Sequence, residues 1–150
     1  MWVYNYADDN SFSCRNKDHN VVRCTLENVT TSALKWFQIN NMQANPGKFK
    51  VMILSPNRDS INEVFRIDGE VIECENVIKL LGINIDDKLD FNFHVSKLCS
   101  KASRQLTAIS RVGKYLNTSC KLKLYHAFIM SNFNYCNTVW HLCTRRSTIK

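Results

Sequence analysis

At 150 residues, with 45% hydrophobic and 22% charged side chains, the chain has the composition of a folded protein with one sizeable core or two small ones, which excludes a disordered tail or linker. No stretch approaches the ~20 consecutive apolar residues of a membrane span, and no basic start with an apolar core marks a signal peptide, so an intracellular protein, nuclear or cytoplasmic and without membrane association, is expected. The net charge of +7 is unevenly placed: residues 1–89 balance at −2 and residues 90–150 at +9. That asymmetry points to a polyanionic partner, nucleic acid ahead of an anionic lipid surface; the alternative is a basic face that serves only solubility.

The chain opens on a short apolar run, Met1 to Tyr4, that leads into Tyr6-Ala7-Asp8-Asp9 and then the turn-forming Asn10-Ser11. Adjacent carboxylates at the tip of a strand-turn-strand are one way to grip a divalent metal beside a phosphate. A strand alternates its side chains, so Asp8 and Asp9 are usable together only where the turn re-aims one of them. The plain alternative for Asp8-Asp9-Asn10 is a solvated turn.

Next, Asp18 or Asn20 can cap a helix whose apolar positions Val22, Leu26, Val29, Ala33, Trp36, Phe37 and Ile39 recur at helical spacing. Asn40-Asn41 and Asn45-Pro46-Gly47 end it and turn the chain. A β-rich run, Phe49 to Leu54, follows and closes at Ser55-Pro56-Asn57. Two short strands, Val64 to Ile67 and Glu70 to Glu73, meet at Asp68-Gly69, a dipeptide suited to two positive φ angles, and predict a hairpin. Val77 to Ile85 reads as one further strand with a bulge or close approach at Gly82. Asp86-Asp87-Lys88 then breaks the pattern. Those carboxylates read as a turn and a helix N-terminus, where they offset the helix dipole, ahead of a second metal site.

Beyond Asp90 the period is helical. Phe91, Val95, Leu98, Ala102, Leu106, Ile109 and Val112 form one stripe, with Lys97, Lys101, Arg104, Arg111 and Lys114 mainly off it. Asn117-Thr118-Ser119 caps a second helix carrying Leu122, Tyr125, Phe128, Ile129 and Phe133, with Lys121 and Lys123 near its start. The aromatic residues Tyr115, Tyr125, Phe128, Phe133, Tyr135 and Trp140 fall mostly at core spacing and are expected inside. Seven scattered cysteines without a Cys-x-x-Cys pair imply reduced, mostly buried thiols. Cys136, His141 and Cys143, with Cys120 or His126, are the nearest approach to a zinc set, at a spacing that fits no common pattern.

The series Tyr6-Ala7-Asp8-Asp9, then Trp36-Phe37-Gln38 through Asn45-Pro46-Gly47-Lys48 to Met52, then Leu80-Leu81-Gly82-Ile83-Asn84-Ile85-Asp86 resembles the reverse transcriptase of non-LTR (LINE-like) retrotransposons, a transposable-element RNA-directed DNA polymerase. Lys101-Ala102-Ser103-Arg104, Leu124-Tyr125-His126-Ala127 and Tyr135-Cys136-Asn137-Thr138-Val139-Trp140 are similar to its thumb and connecting segment. The resemblance covers nearly the whole chain. It implies an α+β fold: an incomplete palm over residues 1–88, with a short antiparallel sheet and one packed helix, followed by a helical thumb-like region over residues 89–150.

The same resemblance implies that Asp8 and Asp9 ligate catalytic Mg²⁺ and that Tyr6 and Ala7 lie where nucleotide and primer end meet. Lys48 would approach the triphosphate of a deoxynucleotide, offsetting charge or donating a proton; read without the family it is equally a turn lysine. Lys97, Lys101, Arg104, Arg111, Lys114, Lys121 and Lys123 would contact the backbone of the RNA template and DNA primer, a sequence-independent role. Only five residues precede Tyr6, so the upstream carboxylate and fingers of that family are expected outside this sequence, and the chain is expected to be inactive alone. The competing expectation is a non-catalytic, basic nucleic-acid-binding module.

Overall fold

The computed structural model describes residues 1–55 and 63–141. The chain is α+β, as its alternating periodicities predict, and its described strands form three separate two-stranded antiparallel ribbons. The residues divide into two compact units: Met1–Ile53 with the ribbon up to Glu75, and Asn76 onward with Leu54 and Ser55.

In the first unit, β1 (Trp2–Tyr6) pairs with β2 (Asp9–Ser13), Tyr6 standing opposite Asp9. Ala7 and Asp8 make the whole loop, so the turn falls there and the expected turn pair Asn10-Ser11 lies within β2. Helix α1 (His19–Ile39) begins where Asp18 accepts the Asn20 backbone N–H at 2.9 Å, satisfying an otherwise orphan donor. The Cys14 thiol donates to the Val22 carbonyl at 3.6 Å and ties the end of the first ribbon to α1; burial pushes this thiol up from its ordinary pKa.

β3 (Val64–Ile67) and β4 (Glu70–Glu73) meet at the expected turn, with φ of 52° at Asp68 and 83° at Gly69. Phe65 and Ile67 alternate inward with Val64 and Arg66 outward, and Phe65 stands opposite Ile72. Phe65, Ile67, Ile72 and Leu34 of α1 are the buried centre of this core, surrounded by Leu26, Phe37, Phe49, Val51, Ile53 and Cys74. The helix therefore presents Leu26, Leu34 and Phe37 inward, and Trp36 and Ile39 of the expected stripe are 55% and 79% exposed. Those two stand at the stripe's rim, rotated away from Leu34. Glu27 of α1 accepts the Arg66 backbone N–H at 2.8 Å and so covers part of the β3 edge.

Two expectations are corrected. Phe49 to Leu54 makes no strand; it touches β4's end through a single parallel bridge, Val51 to Cys74, with Glu75 N–H bonded to the Val51 carbonyl at 2.8 Å. A ladder needs consecutive partners, and β4 stops one residue before this bridge, at Glu73. The closing residues Pro56 and Asn57 lie outside the described residues. The second correction concerns residues 77–85, which form a hairpin in place of one bulged strand.

In the second unit, β5 (Val77–Leu80) and β6 (Ile83–Asp86) pair around Leu81-Gly82, whose φ values of 46° and 85° repeat the geometry of Asp68-Gly69. A leucine is an unusual first residue of such a turn, which hid it from the sequence pattern. Tyr135 donates its hydroxyl to the Leu81 carbonyl at 2.8 Å and holds the turn. Helix α2 (Asn92–Gly113) follows. Asn117 caps α3 (Thr118–Leu124) by accepting the Cys120 N–H at 2.8 Å. The helix runs on through a π-helical segment, Tyr125–Met130, into α4 (Ser131–Asn134), and α5 (Asn137–Trp140) ends the described chain.

That π segment overturns the aromatic expectation. Its i→i+5 bonds break the 3.6-residue period within that helix, so positions assigned inward there rotate off the packed face, while Tyr115 lies in the turn after α2. Tyr115, Tyr125, Phe128 and Tyr135 are exposed, while Phe133 and Trp140 are half-buried and Ile129 alone of this segment is buried.

Candidate metal and nucleic-acid site

The β1–β2 ribbon is the tightest form that can carry Tyr6-Ala7-Asp8-Asp9. Ala7 adopts φ 52° as the first of the two loop residues, a conformation in which a small side chain meets the least resistance. Asp8 is the second, and Asp9 opens β2. Because directly opposed residues share a ribbon face, Asp9 stands beside Tyr6, whereas Asp8 projects from the loop. The turn thus separates the carboxylates from simple strand alternation. Both are exposed and neither is in an ion pair among the described residues. Tyr6 is 67% exposed, leaving its ring available at the tip.

The donor chemistry suits Mg²⁺, a hard cation that protein sites commonly hold with one or two carboxylates plus substrate phosphate oxygens. No group of three His, Cys, Asp or Glu side chains forms among the described residues, so these two acids are joined by no third ligand there. Cys136, His141, Cys120 and His126, whose spacing fits no common zinc pattern, form no metal-ligating group among the described residues, and Cys143 lies outside them.

Lys48 belongs to the same unit and ends a 3₁₀ turn, Pro46–Lys48, whose Asn45 carboxamide accepts the Gly47 N–H at 3.1 Å. Its side chain is exposed.

In the second unit, Lys97, Lys101, Arg104 and Arg111 lie on α2, Lys114 caps its C-terminus, and Lys121 and Lys123 lie on α3. All seven are exposed, and among the described residues none is in an ion pair. At about 100° per residue the four on α2 fall within an arc of about 80°. They span ~21 Å along the axis at the helical rise. α2 is therefore a cationic rod with its charges on one side. Lys97 lies over the Phe93 ring at 4.3 Å and Lys114 over the Tyr115 ring at 4.9 Å.

Asp86 has a structural task. Its Oδ1 accepts the backbone N–H groups of Lys88 and Asp90 at 3.1 and 3.0 Å, and its Oδ2 accepts that of Phe91 at 2.7 Å. Leu89 and Phe91 both take φ 55°, and the buried carboxylate gathers that strained loop into the start of α2. Asp90 in turn accepts the Asn92 N–H at 2.9 Å. The expected turn is therefore present, whereas α2 begins only at Asn92 with no acid in its first turn, so Asp86 is taken up by backbone donors instead of the helix dipole.

His94 was not singled out by any sequence signal. It is 3% exposed, and its Nδ1 accepts from the Asn84 backbone N–H at 3.3 Å, which places the neutral ring's proton on Nε2. Nε2 has no hydrogen-bond partner among the described residues, and the ring packs edge-on against Trp140 with centroids 6.1 Å apart. Burial lowers its pKa from the ordinary 6.5. The folded state therefore binds this proton less readily than the unfolded chain. Stability contributed by the neutral ring is present above the ordinary value and is lost as pH falls toward and through the lowered one. The second unit's unfolding midpoint is expected to fall between pH 7.5 and pH 5, and His94→Gln is expected to flatten that slope; equal slopes in both proteins, measured by circular dichroism, would remove His94 as its source.

Comparison with protein-family models, curated proteins and solved structures finds no match to this chain. No helix among the described residues is long and apolar enough to cross a membrane.

Proposed function

We propose that this chain serves template-directed nucleotidyl transfer, as the catalytic-hairpin and thumb-like portion of an RNA-directed DNA polymerase of the non-LTR retrotransposon kind. One observation carries the reading: Tyr6-Ala7-Asp8-Asp9 folds as a two-residue β-hairpin with both carboxylates exposed and in no ion pair among the described residues. A bound Mg²⁺ would supply Lewis-acid stabilisation of phosphate charge. Asp8 and Asp9 would hold it, Tyr6 and Ala7 would border the nucleotide and primer end, and Lys48 would neutralise triphosphate charge or donate a proton at its Nζ. Among the described residues no third ligand stands with these two acids, so weak Mg²⁺ binding by this chain alone is expected, with a further carboxylate supplied by another segment. The deciding experiment is primer extension by a longer protein that contains this hairpin together with an upstream acid-bearing strand, compared with its Asp8→Asn variant.

The exposed cations on one side of α2 favour a second reading, a non-catalytic nucleic-acid-binding module. Both readings predict backbone contacts, with affinity falling as salt rises. Replacing Lys101 and Arg104 with Gln is expected to reduce the slope of log affinity against log salt by about 1.4–1.8, two phosphate contacts' worth. Anisotropy titration of an RNA·DNA duplex and of a single strand measures this. A slope indifferent to the double substitution would take those two residues out of the interface.

A further inference from the structure

The basic side of α2 carries one residue that charge does not explain. Phe93 is 44% exposed at the helix's N-terminal end, four residues before Lys97. At about 100° per residue it falls within the same arc as Lys97, Lys101, Arg104 and Arg111, well away from the apolar side that Val95, Leu98 and Ala102 define. Nearly half of this apolar residue remains in contact with solvent, set in a row of cations. The Lys97 ammonium lies over it at 4.3 Å, so ring and charge are held as a pair. The far end of the helix repeats the arrangement: Tyr115, 77% exposed, lies beneath the Lys114 ammonium at 4.9 Å.

Aromatic faces interleaved with a line of cations are what an unpaired nucleic-acid strand requires. Its bases offer flat π surfaces, its phosphates a regular negative charge, and neither demands a particular sequence. A base-paired duplex offers only the second, since its bases are stacked on one another and out of reach of an exposed ring. We propose that the α2 face binds single-stranded nucleic acid, with Phe93 stacking an unpaired base while Lys97 swings from the ring to that nucleotide's phosphate. Lys101, Arg104 and Arg111 then track the phosphates that follow along the helix, toward the second cation–aromatic pair at Lys114 and Tyr115. The inference rests on α2 being a nucleic-acid surface and adds the strand state it selects.

The test is an anisotropy titration of the full chain with a mixed-sequence single strand and with a blunt duplex of equal length, at two salt concentrations. Wild type, Phe93→Ala and Phe93→Leu are compared, with circular dichroism to show that helix content is retained. Wild type is expected to prefer the single strand. Phe93→Ala and Phe93→Leu should each weaken single-strand binding about tenfold, leaving the salt slope and duplex affinity within about twofold of wild type, because stacking is lost and phosphate contacts are kept. Salt-dependent binding that Phe93→Ala does not change, or that falls equally for both nucleic acids, overturns the stacking role and leaves the nucleic-acid reading standing. Absence of binding to either nucleic acid overturns both.

Discussion

In a longer, extension-competent protein containing this hairpin, Asp8→Asn is expected to lower the single-turnover rate of nucleotide addition on the order of 1,000-fold at saturating Mg²⁺ and nucleotide. That loss corresponds to about 4 kcal/mol of barrier at 1.36 kcal/mol per tenfold. The substitution removes a negative charge and half the hard-oxygen donors of the carboxylate while keeping its shape. Asp8 lies in the exposed two-residue loop, and its side chain makes no ion pair among the described residues. Folding stability should therefore stay within about 0.5 kcal/mol of the parent, as for ordinary surface changes. Rate and stability are thus expected to separate: a collapse in extension with an unchanged thermal midpoint. Extension at the parental rate would show that Asp8 does not hold the reacting phosphate's metal. A matching fall in thermal midpoint would assign Asp8 to the turn's stability instead.

Asp86→Ala is expected to behave in the opposite way, costing roughly 3–5 kcal/mol of stability in the second unit. The carboxylate is 8% exposed and accepts three backbone N–H groups, from Lys88, Asp90 and Phe91. Alanine leaves those donors without partners at a place where Leu89 and Phe91 already hold φ 55°. Each buried, unsatisfied donor costs about 1–3 kcal/mol, reduced where water reaches it. Asp86→Asn keeps one carbonyl acceptor but turns an NH₂ group toward a backbone donor, so about half the loss is expected to remain. Urea unfolding followed by circular dichroism measures both, with hydrogen exchange at the start of α2 as the local readout. If Asp86→Ala left the midpoint unchanged, the carboxylate would not be organising the junction between β6 and α2.

These two acids show what residue identity can and cannot say. Asp8-Asp9 and Asp86-Asp87 are the same dipeptide in sequence, and each overlaps the end of a strand, Asp9 opening β2 and Asp86 closing β6. The first pair runs from a two-residue loop into β2 with both acids exposed; the second leads into a loop whose backbone donors converge on one carboxylate. Local pattern separated them only through what came next, a helical stripe after Asp90.

Short-range stereochemistry was sufficient for several elements. Asp18 as a cap, Asp68-Gly69 as a two-residue turn and Asn117 as the second cap all depend on interactions within a few residues. The cationic character of α2 was equally legible, because charge on a helix follows from spacing alone. The α+β class rests on those same periods, helical in some segments and alternating in others.

Tertiary structure decided the rest. Whether Phe49 to Leu54 became a strand depended on how much of β4 ran alongside it, and only the Val51–Cys74 bridge was within reach. Leu81-Gly82 became a turn with a leucine at positive φ, and Tyr135, distant in sequence, holds its carbonyl. The π segment at Tyr125–Met130 shifted the helical register and left the aromatic residues Tyr125 and Phe128 exposed. His94 and Phe93 came to notice only once burial and neighbours were known. The physical reason is common to all of these: caps, turns and periodic faces are set by bonds between near neighbours, whereas burial, strain and the availability of a side chain depend on which distant segment packs against it.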